Sequence, residues 1–146
     1  MATVAEGTAA IDAAFQGYMT ELEQCGPVWE KKPEGSPEGE AAWSARQVAE
    51  HIASSGPFFG ASIARAIGVS GPTPAMVSLA DLDAAIAETK RGYGLLVGVV
   101  TQVKDEQLDQ EVELPRLGKM TVGNIVGLVS NHLKDHTGQL RTLRGG

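Results

Sequence analysis

The stretch NHLKDHTGQLR, residues 131–141, decides the fold of this chain. Its two histidines, His132 and His136, are four residues apart, which on a helix places both imidazoles on one face, one turn apart. Two histidines at this spacing can bind the same metal ion. Apolar residues continue this face in both directions and predict a helix over residues 121–143. These residues are Val122, Ile125, Val126, Val129, Leu133 and Leu140.

Two further helices are predicted nearer the N-terminus, each with its own cap. The first covers residues 4–24, begins after a capping box at Thr3 and ends before a Gly-Pro pair. The second begins at Ser44, which can form a capping box with Gln47. Residues 56–57 are Gly-Pro, and the missing backbone donor of proline predicts a kink there or a break into two pieces.

A third helix is predicted in the middle of the chain, framed by Ser78 and Asp81 as a capping box. Gly92, Gly94 and Gly98 weaken this helix intrinsically, but their lack of a side chain permits a neighbouring helix to come close. We therefore interpret these glycines as packing positions.

Two long connections separate these helices. Residues 26–42 contain prolines and glycines without a periodic apolar pattern, and residues 105–120 contain a short alternating piece at residues 112–114 that is compatible with extended chain. Four helices of about twenty residues, without a convincing set of strands, predict an all-α four-helix bundle. One such domain accounts for residues 1–146.

The net charge and the composition indicate which binding partners and which cellular compartment to expect. The formal net charge of −6 disfavours nucleic acid and anionic membrane surfaces. The longest apolar stretch, residues 94–100, is too short to span a bilayer, and no secretory leader is visible. Cys25 is the single cysteine, so an internal disulfide is excluded. These features indicate a cytoplasmic protein.

The third histidine, His51, lies on the inward stripe of the second helix. If the second and fourth helices are neighbours, three imidazoles converge on one site, which would suit zinc, nickel, copper or ferrous iron and leave one position open. The alternative is that all three are ordinary histidines that satisfy hydrogen bonds, although three in one core are costly unless something unites them. No Glu-x-x-His pair is present, so a mononuclear site is favoured over a carboxylate-bridged di-iron site.

Two segments resemble motifs of the DinB-like superfamily. WSARQVAEHI, residues 43–52, is similar to its second helix, in which an inward histidine follows a tryptophan by eight residues. TVGN, residues 121–124, together with residues 131–141, is similar to its last helix, and residues 108–117 look like the connector before it. The resemblance implies a DinB-like four-helix bundle, often dimeric. It also implies a three-histidine metal site, commonly zinc or nickel, whose ligands here would be His51, His132 and His136.

The resemblance leaves the reaction open. Known members include thiol transferases that use bacillithiol and mycothiol-dependent maleylpyruvate isomerases, which implies a metal-dependent transferase acting with a low-molecular-weight thiol and an electrophilic substrate. The alternatives are a hydrolase, in which the open metal position activates water, and a non-enzymatic, metal-stabilised binding or stress-response module. A panel of thiols separates the first two, and a site filled by a fourth ligand would favour the module.

Other polar residues have more than one interpretation. Gln139 shares the face of His136 and could contact a metal-bound water or a substrate, or it could be a buried amide. Arg141 and Arg144 are expected to be charges that favour the C-terminal end of the helix dipole. Trp43 is expected to pack at the end of the bundle. Cys25 has no histidine near it in sequence and is expected to behave as a small hydrophobe.

Overall fold

Four long helices form the protein in a computed structural model that describes residues 3–35 and 38–145. The helices are α1 (Val4–Leu22), α2 (Ala45–Ile67), α3 (Leu82–Val100) and α4 (Val122–Leu143). Helix α1 packs mainly against α4 and α2 against α3, while α2 also contacts α4. The predicted all-α four-helix bundle is confirmed, and α2 and α4 are neighbours as the three-histidine site requires.

The connections contain short helical turns. Three 3-10 segments occupy Gly26–Val28, Gly39–Ala42 and Asp105–Gln107. The first two lie in the connection predicted over residues 26–42, of which residues 36–37 fall outside the described residues. Residues 1–2 and 146 of the predicted domain fall outside them as well.

Of the three predicted capping boxes, the one at Ser44 is confirmed in full, and Thr3 is confirmed as an N-cap. Thr3 accepts a hydrogen bond from the backbone N–H of Glu6, and Ser44 forms a reciprocal capping box with Gln47. Each bond satisfies a backbone donor that has no partner inside its helix. The first turns of α1 and α2 are therefore determined by their local sequence.

The start predicted for α3 at Ser78 is wrong. Asp81 caps this helix instead, accepting from the backbone N–H of Ala84. Leu79 is buried, and its N–H donates to Glu50 on α2 at 2.8 Å. Because these contacts hold Leu79 against α2, the helix begins three residues later than predicted.

Helix α2 is continuous through Pro57, so of the two predicted outcomes, a kink or a break into two pieces, the break is wrong. Proline at this position cannot donate to the carbonyl of Ala53, one turn earlier. Helix α3 packs closely here. A Cβ atom added to Gly92 would lie 3.0 Å from that carbonyl, and a Cβ atom added to Gly56 would lie 2.9 Å from the backbone of Gly92. Close packing against α3 therefore accompanies the continuity of α2 through Pro57.

The other glycines of α3 do not take part in this approach. A Cβ added at Gly94 or Gly98 would meet nothing within 4 Å. The prediction of close approach is therefore confirmed at Gly92 and wrong at these two positions. Only Gly92 lies on the side of α3 that faces α2.

A small hairpin precedes α4. Strand β1 (Glu111–Leu114) pairs antiparallel with β2 (Gly118–Thr121), and the guanidinium of Arg65 on α2 donates to the Glu113 carbonyl. The extended piece predicted at residues 112–114 is confirmed. Its partner strand was not predicted, because the four residues of β2 carry no apolar alternation. No helix in the described part of the chain is long and apolar enough to cross a membrane.

Candidate metal centre

Three imidazoles meet where α2 packs against α4. Helix α2 presents His51, and α4 presents His132 and His136 one turn apart. One ring nitrogen from each residue lies within 4.8 Å of the others, a spacing at which the three could hold a metal ion. The predicted convergence of these histidines is confirmed.

Two of the rings share a hydrogen bond. The Nε2 atoms of His51 and His132 are 2.8 Å apart, so one carries the proton and the other accepts. Burial lowers the pKa of His132 to about 3, with the neighbouring His136 and His51 as further causes. Burial likewise lowers the pKa of His51, followed by repulsion from His136, while Glu40 acts in the opposite direction. Both rings are neutral at pH 7 and can offer a lone pair.

The third ring is oriented by Gln139. The Nδ1 atom of His136 is 2.8 Å from the Gln139 Oε1, and the Gln139 amide nitrogen donates to the backbone carbonyl of Glu40 at 2.6 Å. The Glu40 carboxylate then lies 3.5 Å from Nε2 of His136. Gln139 therefore acts as a half-buried amide that joins α4 to the 3-10 segment carrying Glu40.

Aromatic side chains cover the cluster. The Trp43 ring centroid is 5.1 Å from that of His51 and 6.2 Å from that of His136, to which it is nearly parallel at 13°. The ring centroids of Phe59 and His132 are 5.9 Å apart, and the two rings are nearly perpendicular at 83°. Trp43 was predicted to pack at the bundle end, and the structure places it over two of the three imidazoles. Its position just before the cap of α2, two turns from His51, is the sequence signal for this contact.

The donor set fits a divalent ion. Nδ1 of His132 is buried and has no hydrogen-bond partner among the described residues, so hydrogen bonding alone does not satisfy this ring. Neutral imidazoles, with the Glu40 carboxylate beside them, are ligands that zinc and nickel both accept. The three-histidine cluster could therefore hold a metal ion, while its chemistry does not separate these two metals.

A cavity of about 690 Å³ lies beside the cluster, between the segment that follows α1 and the last turns of α4. Glu40 and Gln139 line this cavity and also contact His136. Lys31 and Glu34 supply charged groups to its wall. Glu40 and Gln139 would therefore lie between a small molecule in the cavity and His136. Glu40 was missed from the sequence because it lies in a connection with no periodic pattern.

The remaining polar residues have structural roles. Arg141 and Arg144 both reach the buried carboxylate of Glu21 on α1, so they form an ion-pair network beyond the helix-dipole role predicted for them. Cys25 is buried, and burial raises the pKa of its thiol to about 11. A thiol with this pKa is a poor nucleophile at neutral pH, in agreement with its expected role as a small hydrophobe.

Comparison with known proteins identifies the family. The model of the DinB superfamily matches residues 12–140, and the chain therefore belongs to this superfamily. No curated protein matches the chain.

Two solved structures show the same fold. TT2238, a four-helix bundle protein, is 20% identical with a TM-score of 0.67, and the match covers 99% of this chain and 100% of that one. The colibactin self-resistance protein ClbS, in complex with a dsDNA, is 14% identical with a TM-score of 0.72, covering 100% of this chain and 98% of that one. At these sequence identities, the similarity to the two structures shows a shared fold alone.

Proposed function

We propose that this member of the DinB superfamily binds one divalent metal ion through His51, His132 and His136 and acts as a transferase with a low-molecular-weight thiol. The observation that carries the proposal is the convergence of three imidazoles, two of them held neutral by burial, beside a cavity. Three protein ligands are typical of metal sites that leave a position for a substrate.

A bound divalent ion would hold the thiol as its thiolate, which is the attacking form. The protein supplies the rest of the site. Trp43 packs against the ring of His51, and Phe59 packs against the ring of His132. Gln139 accepts the Nδ1 proton of His136, which leaves the Nε2 lone pair for a ligand bond. The ammonium of Lys31 on the cavity wall is available to a carboxylate of the thiol or its partner.

The substrate we propose is a small electrophile. The DNA in the ClbS complex belongs to a protein 14% identical to this chain. A net charge of −6 disfavours a phosphate backbone here. A DNA-binding assay at low salt, where electrostatic attraction is strongest, tests this part of the proposal, and salt-dependent binding would contradict it.

Zinc or nickel, a homodimer and a cytoplasmic location complete the proposal, as the resemblance and composition indicate. Elemental analysis of protein purified without a metal-binding tag is expected to give close to one equivalent of metal per chain. Light scattering at several protein concentrations is expected to give the mass of two chains. A metal content near zero would contradict the central claim.

The decisive experiment compares wild type with His136→Ala in the conjugation of electrophiles with bacillithiol, mycothiol, glutathione and cysteine. Wild type is expected to turn over with at least one thiol, and His136→Ala is expected to lose metal and activity together because two ligands remain. Lys134→Ala is a matched control, since Lys134 is exposed on the same helix. Equal turnover by wild type and His136→Ala would remove the metal from the mechanism.

Two other outcomes would replace the transferase. Metal-dependent cleavage of esters or amides without any thiol would establish the hydrolase, in which the open position activates water. Metal binding without either activity would establish a non-enzymatic binding module. Both outcomes leave the three-histidine site intact and concern the reaction alone.

A further inference from the structure

The carboxylate of Glu40 lies beside His136, at the edge of the three-histidine cluster. Its Oε1 atom lies 3.5 Å from Nε2 of His136. Two ligands of one tetrahedral zinc ion, each about 2.1 Å from the metal, are separated by about 3.4 Å. The Glu40–His136 distance therefore matches that between neighbouring ligands of one ion.

The hydrogen-bonding pattern of neutral His136 places a lone pair, and not a proton, toward the Glu40 carboxylate. A carboxamide oxygen only accepts, so Nδ1 of His136 donates to Gln139. In the neutral ring, Nε2 then carries a lone pair that faces the Glu40 carboxylate. Two facing lone pairs repel unless a cation lies between them, and the candidates are a proton on His136 or a metal ion.

Charge favours the metal ion. Three neutral imidazoles leave both positive charges of a divalent ion uncompensated in a largely buried place, where an unpaired charge is costly. A single carboxylate beside the ion would reduce its net charge from two to one. Glu40 is the acidic residue whose side chain contacts the histidine cluster within the described residues.

Glu40 is held through its backbone, so its carboxylate is able to leave the histidine cluster. Gln139 holds the backbone carbonyl of Glu40, so the segment Gly39–Ala42 stays in place whether or not the carboxylate is engaged. The side chain is 61% exposed and lines the cavity. It can therefore swing toward solvent without disturbing the packed helices.

We infer that Glu40 is a fourth protein ligand of the metal bound by the three histidines, and that an incoming thiol displaces its carboxylate. This inference rests on the proposed metal site. With a metal bound, the thiol would replace the Glu40 carboxylate on the metal, and the thiol proton would pass to bulk water. A removable fourth ligand is compatible with a transferase, whereas a permanent one would favour the non-enzymatic module.

The test uses Glu40→Ala and Glu40→Gln, with Glu38→Gln as the matched control from the same exposed stretch. Zinc affinity is measured by competition with a chelator. Thiol affinity is measured by titrating the cobalt-loaded protein with 2-mercaptoethanol and following its visible absorption. Circular dichroism verifies that each variant is folded.

The two affinities are expected to move in opposite directions. Loss of a ligand should weaken zinc binding by about 10- to 100-fold, the range seen when groups that support a metal are removed. Loss of the competing carboxylate should tighten 2-mercaptoethanol binding, and Glu38→Gln should change neither affinity. A residue that only stabilises the fold would not produce this pair of opposite changes.

Three results would overturn the inference. If wild type binds zinc and the Glu40 variants match it in both affinities, Glu40 pairs with His136 only as an ion pair, while the three-histidine site stands. If both affinities fall together, Glu40 is not displaced by the thiol. If wild type binds neither zinc nor cobalt, the proposed function fails first and this inference fails with it.

Discussion

Nδ1 of His136 lies 2.8 Å from Oε1 of Gln139, three residues later on the same helix. The amide nitrogen of Gln139 is oriented by the Glu40 carbonyl, so its oxygen must face the histidine. The contact determines which nitrogen of His136 carries the proton and directs the other toward the cluster. Gln139 is therefore a positioning residue for the candidate metal site.

Two substitutions of Gln139 distinguish its hydrogen bond to His136 from its hydrogen bond to Glu40. Gln139→Ala removes both and is expected to lower zinc affinity by about 10- to 100-fold. Gln139→Glu keeps an acceptor for His136 but cannot donate to Glu40, so it should retain more of the affinity. Gln16→Ala, at an exposed position on α1, is the control. Chelator competition measures all three, and equal affinities throughout would show that the contact does not support the site.

Removing the metal is expected to leave the bundle folded but less stable. The apolar stripes of the four helices form a continuous core without any contribution from a metal. A ligand that binds only the native state adds about 2.7 kcal/mol when its free concentration is 100 times Kd. Circular dichroism and thermal unfolding before and after chelation measure this, and complete loss of helix would identify the site as structural.

The metal-free protein should lose stability in mild acid. Unfolded histidines titrate near pH 6.5, whereas burial lowers the folded pKa of His132 to about 3. Between these values the unfolded chain binds more protons, so the free energy of unfolding falls as the pH falls from 6.5 toward 3.

Because His132 is only partly buried, we expect it to contribute about 1 kcal/mol between pH 7 and pH 5. Chemical denaturation of wild type and His132→Leu at both pH values measures the difference. The pH dependence should be shallower in the variant. An equally steep dependence would assign the effect to other groups.

Two glycines of α3 should respond oppositely to the same substitution. A Cβ at Gly92 would meet Ala53 O and Pro57 Cδ at 3.0 Å, so Gly92→Ala is expected to cost about 1–3 kcal/mol. Gly94 faces open space, and Gly94→Ala should gain about 0.5–1 kcal/mol through helix propensity. Urea unfolding of both variants measures the two changes, and a loss at both positions would contradict the packing described for α2 and α3.

The sequence by itself determined the helices and the identity of the clustered residues. The periodic apolar stripes and the caps at Thr3 and Ser44 are local signals, so they predict where α1, α2 and α4 begin. The four-residue spacing of His132 and His136 predicts a shared face because the geometry of a helix is the same in every protein.

Only the tertiary structure decided which distant segments meet. The continuity of α2 through Pro57 and the late start of α3 both depend on contacts between these two helices. The placement of Glu40 beside His136 depends on a hydrogen bond between residues 99 positions apart. Periodicity and spacing report on neighbours along a helix, whereas such contacts arise only when the packed core brings separate elements together.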